Sequence, residues 1–235
     1  MQMLVIKPKV DFVVTVEAEI TPDLAEDLEK AKNFEVYYGK DKVKLKELFE
    51  ITKEGDDKKL VLDGDFSKVK WIGCRMEDGE IVVKGNVGAN CGAYMKGGKI
   101  TIEGNADDWL GAEMSSGEIV VKGNVKNCVG CAYYGDMQGM KGGKITIEGN
   151  AINYIGEKMA GGEIEIKGNA GDFIGTEMTN GLIVIHGDCG FVGGDMKGGE
   201  IRIGGKFELM PTFKKSEEGF VGDVNVGGKG VVKTL

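Results

Sequence analysis

The sequence is poor in several residue types that carry catalytic chemistry or interrupt regular structure. Its 235 residues include one histidine, three prolines and two tryptophans. Its 30 basic side chains are outnumbered by 38 acidic ones, which gives a net charge of −8. An acidic chain is a poor candidate for binding nucleic acid or an anionic membrane, because both partners require a basic surface.

Segments for export or membrane insertion are not apparent either. The apolar run near the start is interrupted by Lys7, Lys9 and Asp11, so we expect no signal peptide. No apolar run approaches the roughly 18 residues that indicate a membrane-spanning helix. The five cysteines are an odd number without the spacing of a secreted disulfide framework. We therefore predict a reducing, cytoplasmic location.

Glycine, in contrast, is abundant, with 40 residues or about 17 % against a usual value of roughly 7 %. A repeat explains this excess, because methionine recurs every 19 residues except for one interval of 26 and one of 18. With this methionine as position 0, positions 3 and 9 are glycine in every repeat. The repeats begin at Met76, Met95, Met114, Met140, Met159, Met178 and Met196.

A short strand is predicted between the two glycines. Position 5 is isoleucine in all repeats and position 7 is valine or isoleucine, which is typical of a strand with one buried face. The outward positions 4 and 8 alternate between Glu and Lys through five repeats. If equivalent positions stack about 4.8 Å apart, this alternation places opposite charges together. Asparagine at position 10 would form a ladder of amides, and position 11, as at Ala106, would form a second apolar wall.

We therefore predict a mainly β protein, a right-handed parallel β-helix of about seven 19-residue coils. Residues 1–55 lack the repeat and are expected to form a small α+β cap, with Thr21 as the N-cap of a helix that ends near Lys32. The segments 12–20 and 43–52 are expected to be strands. The β-helix is expected to cover 56–207, and a C-terminal extension with one or two closing strands to cover 208–235.

Side chains able to perform chemistry are scarce. We interpret His186 as a solvated member of the outward charged column, because no acid or nucleophile is expected beside it. The single Cys128-x-x-Cys131 motif lacks the second pair of ligands that a zinc site or a cluster requires, so buried thiols are favoured over metal binding or redox activity. No residue is assigned a catalytic, cofactor-binding or metal-binding role.

Two segments that break the period are candidates for a partner interface. The first is the insertion 131–139, in which Tyr133, Tyr134 and Met137 are residue types enriched at interfaces. The second is the apolar segment 207–220, which contains Pro211 and Phe213. The alternative for each segment is a loop folded against its own repeats.

The repeat G-N-A-x-x-x-I-G-x-x-M-x-x-G-x-I-x-I-x-G resembles a glycine-rich β-helix found in two groups of proteins. One group is the C-terminal domain of the glutamate synthase large subunit. The other is the C subunit of formylmethanofuran dehydrogenase, which a subunit of the formyltransferase/hydrolase complex resembles. The ending GGDMKGGEIRIGGKFELMPTFKK is most similar to the formylmethanofuran dehydrogenase group.

This resemblance implies a non-catalytic scaffold within an archaeal oxidoreductase complex of methanogenesis. Such a complex reduces carbon dioxide at a tungsten- or molybdenum-pterin site and attaches the product to methanofuran. The resemblance places the pterin, the iron–sulfur clusters and the zinc on other subunits, which would be the partners of this chain. The alternatives are a stand-alone glutamate synthase β-helix domain and a subunit of a formyltransferase/hydrolase complex.

Overall fold

The structure, a computed structural model, describes residues 3–55 and 59–235 and consists mainly of β-strands. The N-terminal elements are β1 (Met3–Pro8), β2 (Val16–Glu17), a 3-10 helix (Pro22–Glu26), α1 (Leu28–Lys32), β3 (Glu35–Tyr38), β4 (Asp41–Lys44), α2 (Leu45–Leu48) and β5 (Phe49–Glu54). The segment before the first methionine of the repeats supplies β6 (Lys59–Leu62) and β7 (Val69–Lys70). The repeats supply β8 (Glu80–Val83), β9 (Lys99–Ile102), β10 (Glu118–Val121), β11 (Lys141–Ile147), β12 (Ala160–Ile166), β13 (Asn180–Ile185), β14 (Phe191–Val192) and β15 (Glu200–Ile203). The C-terminal elements are β16 (Glu208–Leu209), β17 (Lys214–Ser216), β18 (Gly219–Gly222), a second 3-10 helix (Val224–Val226) and β19 (Gly230–Thr234).

One 13-stranded sheet runs through the repeats and into both ends, in the order β17-β18-β19-β15-β13-β12-β11-β10-β9-β8-β6-β1-β5. Every pair from β1·β6 to β15·β19 is parallel, as the repeat predicts. The position-5 isoleucines pair with one another, for example Ile100 with Ile119, and all of them are buried. A second line of parallel bridges joins the position-11 residues, including Ala106 and Val125. The predicted apolar walls are confirmed.

The outward charges stack as predicted. Lys99 pairs with Glu118 at 2.9 Å, and Lys144 pairs with Glu163 at 2.7 Å, both in the position-4 column. In the position-8 column Lys122 forms an ion pair with Glu148, the equivalent residue of the next repeat.

The asparagine column forms the predicted ladder, and Asn105 Nδ2 donates to Asn86 Oδ1 at 3.2 Å, but most of its hydrogen bonds come from backbone N–H groups. The side-chain Oδ1 of each residue accepts a hydrogen bond from the backbone N–H of the equivalent residue in the next repeat, as between Asn105 and Asn124 at 2.7 Å. Asp188 makes the same contact with the N–H of Lys206 at 2.7 Å, so the column requires an acceptor oxygen rather than an amide.

The methionine and glycine columns depend on each other. From Met76 to Met178, the methyl group of each buried methionine lies against the position-3 glycine of the next repeat. A Cβ added to Gly117 would lie 2.7 Å from Met95 Cε and 2.9 Å from the carbonyl oxygen of Gly98. Position 3 therefore has no room for a side chain.

The N-terminal segment corrects the predicted helix. Thr21 makes no side-chain cap, and the predicted helix is divided into a 3-10 helix and α1. The cap is Asp27, whose Oδ1 accepts the N–H groups of Glu29 at 2.8 Å and Lys30 at 3.1 Å. A carboxylate at this position satisfies two backbone donors, which restarts the chain as α1.

Two predicted strands are also shorter than expected. The strand predicted across 12–20 is reduced to β2, and α2 interrupts the one predicted across 43–52. Leu45 and Leu48 both bury their side chains from one turn of α2, and Glu47 accepts the N–H of Lys44 at 2.8 Å. Spacing of three between the leucines matches a helical turn rather than a strand.

Both ends of the sheet are closed by antiparallel strands. β5 pairs with β1 at one end, and β17 and β18 follow β19 at the other. With β16, which pairs with β14, the C-terminal extension has four strands where one or two were predicted. The boundary predicted between residues 55 and 56 falls at the edge of residues 56–58, which lie outside the described residues. No helix in the described part of the chain is both long enough and apolar enough to cross a membrane.

Candidate partner interface

One turn of the first five repeats carries an outward side chain on a left-handed backbone. At position 14 the φ angles are 64° at Asn90, 67° at Trp109, 63° at Cys128, 59° at Tyr154 and 64° at Phe173, and the equivalent turn before Met76 has 69° at Trp71. This conformation costs a residue with a Cβ about 1–2 kcal/mol. These side chains lie outside the main core, and we call the four aromatic ones the aromatic face.

The glycine at position 16 lies between two residues of left-handed conformation and faces inward. A Cβ added to Gly92 would lie 2.5 Å from Ile119 Cδ1, so a side chain there would displace the isoleucine of the next repeat. The aromatic face is not among the predictions made from the sequence, although numbering the repeats from methionine places these aromatic residues at one position. That coincidence of position was the available signal.

The insertion 131–139 lies on this aromatic face, with Tyr133 as its main contact. Tyr133 stacks on Trp109 with ring centroids 4.8 Å apart and on Tyr94 at 5.4 Å. Its hydroxyl donates to Asn90 Oδ1 at 2.7 Å, and its backbone N–H donates to Glu113 Oε1 at 3.1 Å. Burial raises the pKa of the Tyr133 hydroxyl well above its usual range. Tyr133 therefore holds the insertion against its own repeats.

The neighbouring residues of the insertion point into solvent. Tyr134 is 95 % exposed and Met137 is 82 % exposed. Tyr134 touches the chain through an edge-to-face contact with Trp109, with centroids 5.6 Å apart. Of the three anchors predicted in the insertion, Tyr133 is packed against the chain, and Tyr134 and Met137 are exposed.

A cleft of about 430 Å³ opens beside the insertion. Its aromatic wall consists of Trp109, Tyr134 and Tyr154, and its polar lining consists of Asp108, Asn127, Cys128 and Glu157. Asp108 Oδ1 accepts hydrogen bonds from the backbone and side-chain nitrogens of Asn127 at 2.8 and 3.0 Å. Burial raises the pKa of the Glu157 carboxyl.

The second predicted segment packs mainly against its own chain. Phe213 is only 9 % exposed, and a Cβ added to Gly193 would lie 2.6 Å from Phe213 Cζ. Its ring supports the last repeat from inside, whereas Pro211 is exposed. A partner role for Tyr133, Tyr134, Met137, Pro211 and Phe213 stays a prediction.

The thiols are poor ligands for a metal or a cluster. Burial raises the pKa of Cys74 to about 11 and those of Cys91 and Cys189 to about 12, whereas metal binding requires the thiolate. Cys128 differs, because a hydrogen bond with the Cys131 thiol lowers its pKa. Within 3–55 and 59–235, no group of three or more His, Cys, Asp or Glu side chains is placed to hold a metal ion. These residues do not fit a metal-pterin, an iron–sulfur cluster or zinc.

The histidine lies in a network of charges on the outer face of the sheet. His186 Nε2 lies 3.0 Å from Glu165 Oε1 and 3.5 Å from Lys167 Nζ. Hydrogen bonds from Lys167 and His186 lower the pKa of Glu165 to about 2. This is the charged-column position that the repeat predicts. The expectation that no acid lies beside His186 is wrong, because Glu165, an outward residue of the preceding repeat, contacts its ring.

Comparisons with known proteins agree with the repeat and with the full extent of the fold. The family model described as the GXGXG motif matches residues 66–218. The C subunit of the tungsten-containing formylmethanofuran dehydrogenase 2 of Methanococcus maripaludis is 52 % identical over 95 % of this chain and 84 % of its own length. The chain belongs to the family of formylmethanofuran dehydrogenase C subunits.

Other members of this family match over a shorter segment. The C subunit of the molybdenum-containing formylmethanofuran dehydrogenase 1 of Methanothermobacter marburgensis is 46 % identical over 37 % of this chain, a segment that spans only 23 % of that relative.

A chain of the formyltransferase/hydrolase complex from Methylorubrum extorquens, solved with methylofuran, matches with a TM-score of 0.89 and 25 % identity. That match covers 98 % of this chain and 99 % of the other.

Proposed function

We propose that this chain is the non-catalytic scaffold subunit of a formylmethanofuran dehydrogenase. That complex reduces carbon dioxide and attaches it to methanofuran as formylmethanofuran, in a reversible first step of methanogenesis. The observation that carries the proposal is the 52 % identity to a C subunit of this enzyme across 95 % of the chain. The scarcity of side chains able to perform catalysis favours a scaffold role for this chain.

The proposed architecture is a right-handed parallel β-helix over 56–207, with an α+β cap over 1–55 and an extension over 208–235. In-register parallel pairing between repeats and the second line of bridges support this coiling. The right hand follows from the general preference of parallel crossover connections. The proposed partners are the other subunits, in the cytoplasm, without nucleic acid or membrane.

The cofactors of the proposed complex belong to those other subunits. Relatives named as tungsten-containing and molybdenum-containing both match, which supports a metal-pterin in the complex. We assign no pterin, iron–sulfur cluster or zinc to this chain, since its described His, Cys, Asp and Glu side chains form no group of three or more that could hold a metal.

The proposed docking surface is the aromatic face together with the insertion. Large exposed aromatic and methionine side chains such as Tyr134 and Met137 are typical of interfaces. The seven extra residues of this repeat are ordered by Tyr133, and fixing each backbone residue costs about 1–2 kcal/mol. Contacts between a partner and the exposed part of the insertion would offset this entropic cost.

A formyltransferase/hydrolase subunit is the second candidate function. The TM-score of 0.89 to a chain of that complex favours it. A stand-alone glutamate synthase domain is a third, less supported function. Co-expression with the partner subunits of each complex separates these functions.

The decisive experiment is co-purification of the tagged chain with formylmethanofuran dehydrogenase subunits. We expect a stable complex, and we expect the purified chain alone to show no turnover of formylmethanofuran with an electron acceptor. Failure to assemble with these subunits, or turnover by the chain alone, would refute the proposal.

Two double variants then locate the surface. Tyr134→Ala with Met137→Ala removes only exposed side chains, so we expect normal folding and weaker retention of partners. Tyr133→Ala with Tyr134→Ala also removes the packed anchor and should destabilise the insertion. Retention of all partners by the first variant at high salt would place the interface elsewhere.

A further inference from the structure

The cleft beside the insertion combines aromatic side chains with two carboxylates. Trp109, Tyr134 and Tyr154 line one part of it, and Asp108 and Glu157 line the other. Tyr134 stands almost free of the chain, and Tyr154 is also exposed although Phe173 stacks on it at 4.9 Å. The aromatic lining is therefore open to an incoming group.

The two carboxylates of the cleft differ from the stacked carboxylates of the sheet in their ion pairing. Among the described residues, no Lys, Arg or His side chain forms a salt bridge with Asp108 or Glu157. Lys158, the next residue in the chain, donates instead to the carbonyl oxygen of Asp136 at 3.2 Å. By contrast, Glu118 and Glu163 each have a lysine within 3 Å. Lys126, which lies near Asp108, pairs with Asp107 at 2.9 Å, so both nearby lysines are engaged elsewhere. The two half-buried carboxylates therefore have no cation of the described chain in direct contact, and a cation from outside the chain could pair with both.

The same face already contains an arginine that contacts both an aromatic ring and a carboxylate. The Arg75 guanidinium lies 5.1 Å from the centroid of the Tyr94 ring, and it pairs with Glu19 at 2.9 Å. Arginine suits this arrangement because its planar group stacks on a ring while it binds a carboxylate through two N–H groups.

We infer that the cleft receives an arginine side chain from a partner subunit, an inference that rests on the proposed function. The guanidinium would lie against Tyr154 and Trp109 and pair with Glu157 and Asp108. A basic partner surface also complements a chain whose net charge is −8. This ion pair would add to the apolar contact that the partner makes with Tyr134.

The test compares two double variants that change the net charge equally. Asp108→Asn with Glu157→Gln neutralises the cleft and keeps its shape, including the acceptor oxygen of residue 108. Glu103→Gln with Glu148→Gln neutralises two carboxylates of the position-8 column. The dissociation constant of each variant for partner subunits prepared without this chain is measured at several salt concentrations.

We expect the cleft variant to bind about tenfold or more weakly at low salt, with a reduced salt dependence, and the control to bind like wild type. A loss below about fivefold, or an equal loss in the control, overturns the inference. The proposed function is judged separately, since it fails only if the wild-type chain does not bind these subunits.

Chemical modification then identifies the cation. Treating the partner subunits with phenylglyoxal, which blocks arginine, should weaken wild-type binding to the level of the cleft variant and leave the cleft variant unaffected. Unchanged wild-type binding after this treatment overturns the assignment to arginine.

Discussion

The close stacking of repeats predicts different consequences for the same substitution at two glycines. Gly117 and Gly135 have nearly equal φ angles, +96° and +94°. At Gly117 an added Cβ would meet Met95 Cε at 2.7 Å and the Gly98 carbonyl oxygen at 2.9 Å. At Gly135, in the exposed insertion, it would meet nothing within 4 Å. Alanine at the two sites therefore separates backbone strain from steric overlap.

The expected magnitudes follow from this geometry. Strain from a positive φ costs about 1–2 kcal/mol at either site. At Gly117 the overlap adds about 1–3 kcal/mol, because the methionine can rotate but the backbone oxygen is held by the next strand. We expect Gly117→Ala to lower the free energy of unfolding by about 2–5 kcal/mol and Gly135→Ala by no more than about 2 kcal/mol.

Thermal unfolding followed by circular dichroism measures this difference. Each kcal/mol lowers the melting temperature by about 2–4 °C in a chain of this size. The double variant Met95→Ala with Gly117→Ala should recover little, since the carbonyl contact remains. If Gly135→Ala is as costly as Gly117→Ala, strain alone explains the glycine column and close approach of the repeats does not.

Three further predictions concern the outer columns and the thiols. Lys122→Glu should cost about 0.5–2 kcal/mol at low salt and less at high salt, because it places a like charge beside Glu148; an unchanged melting temperature would contradict the stacking. Asn124→Ala should cost about 0.5–1.5 kcal/mol and Asn124→Asp much less, since aspartate keeps the acceptor oxygen; equal losses in chemical denaturation would argue against the ladder. At pH 8 iodoacetamide should label Cys128 first and Cys91 only after unfolding, because burial raises the pKa of Cys91 to about 12 whereas the pKa of Cys128 is lowered. Peptide mapping that finds Cys91 labelled as fast as Cys128 in the folded protein would refute this order.

The repeat made the central sheet predictable from the sequence. The position-5 isoleucines and the alternating charges each specify the same register, so an error in one would have contradicted the other. Lys99 and Glu118 pair in the structure because their repeats are stacked without an offset. The register of the sheet was therefore predictable from two independent columns of side chains.

The ends and the insertion were less predictable because they do not repeat. Thr21 before Pro22 has the pattern of a helix start, yet Asp27 satisfies two backbone donors and becomes the cap. The position of Tyr133 could not be predicted either, because it contacts Tyr94 and Asn90, which are 39 and 43 residues away in the sequence. Composition suggested an interface for this segment, but only the fold separates the packed tyrosine from the exposed one.

The alternation of charge in the stacked columns also limits how this kind of protein can change its length. Loss of the single repeat between Glu80 and Glu118 would bring those two carboxylates into the same pair of strands. Loss of two consecutive repeats would instead place Glu80 beside Lys144 and preserve the attraction. Within the five alternating repeats, we therefore expect gain or loss of an even number of repeats to be less destabilising than gain or loss of an odd number.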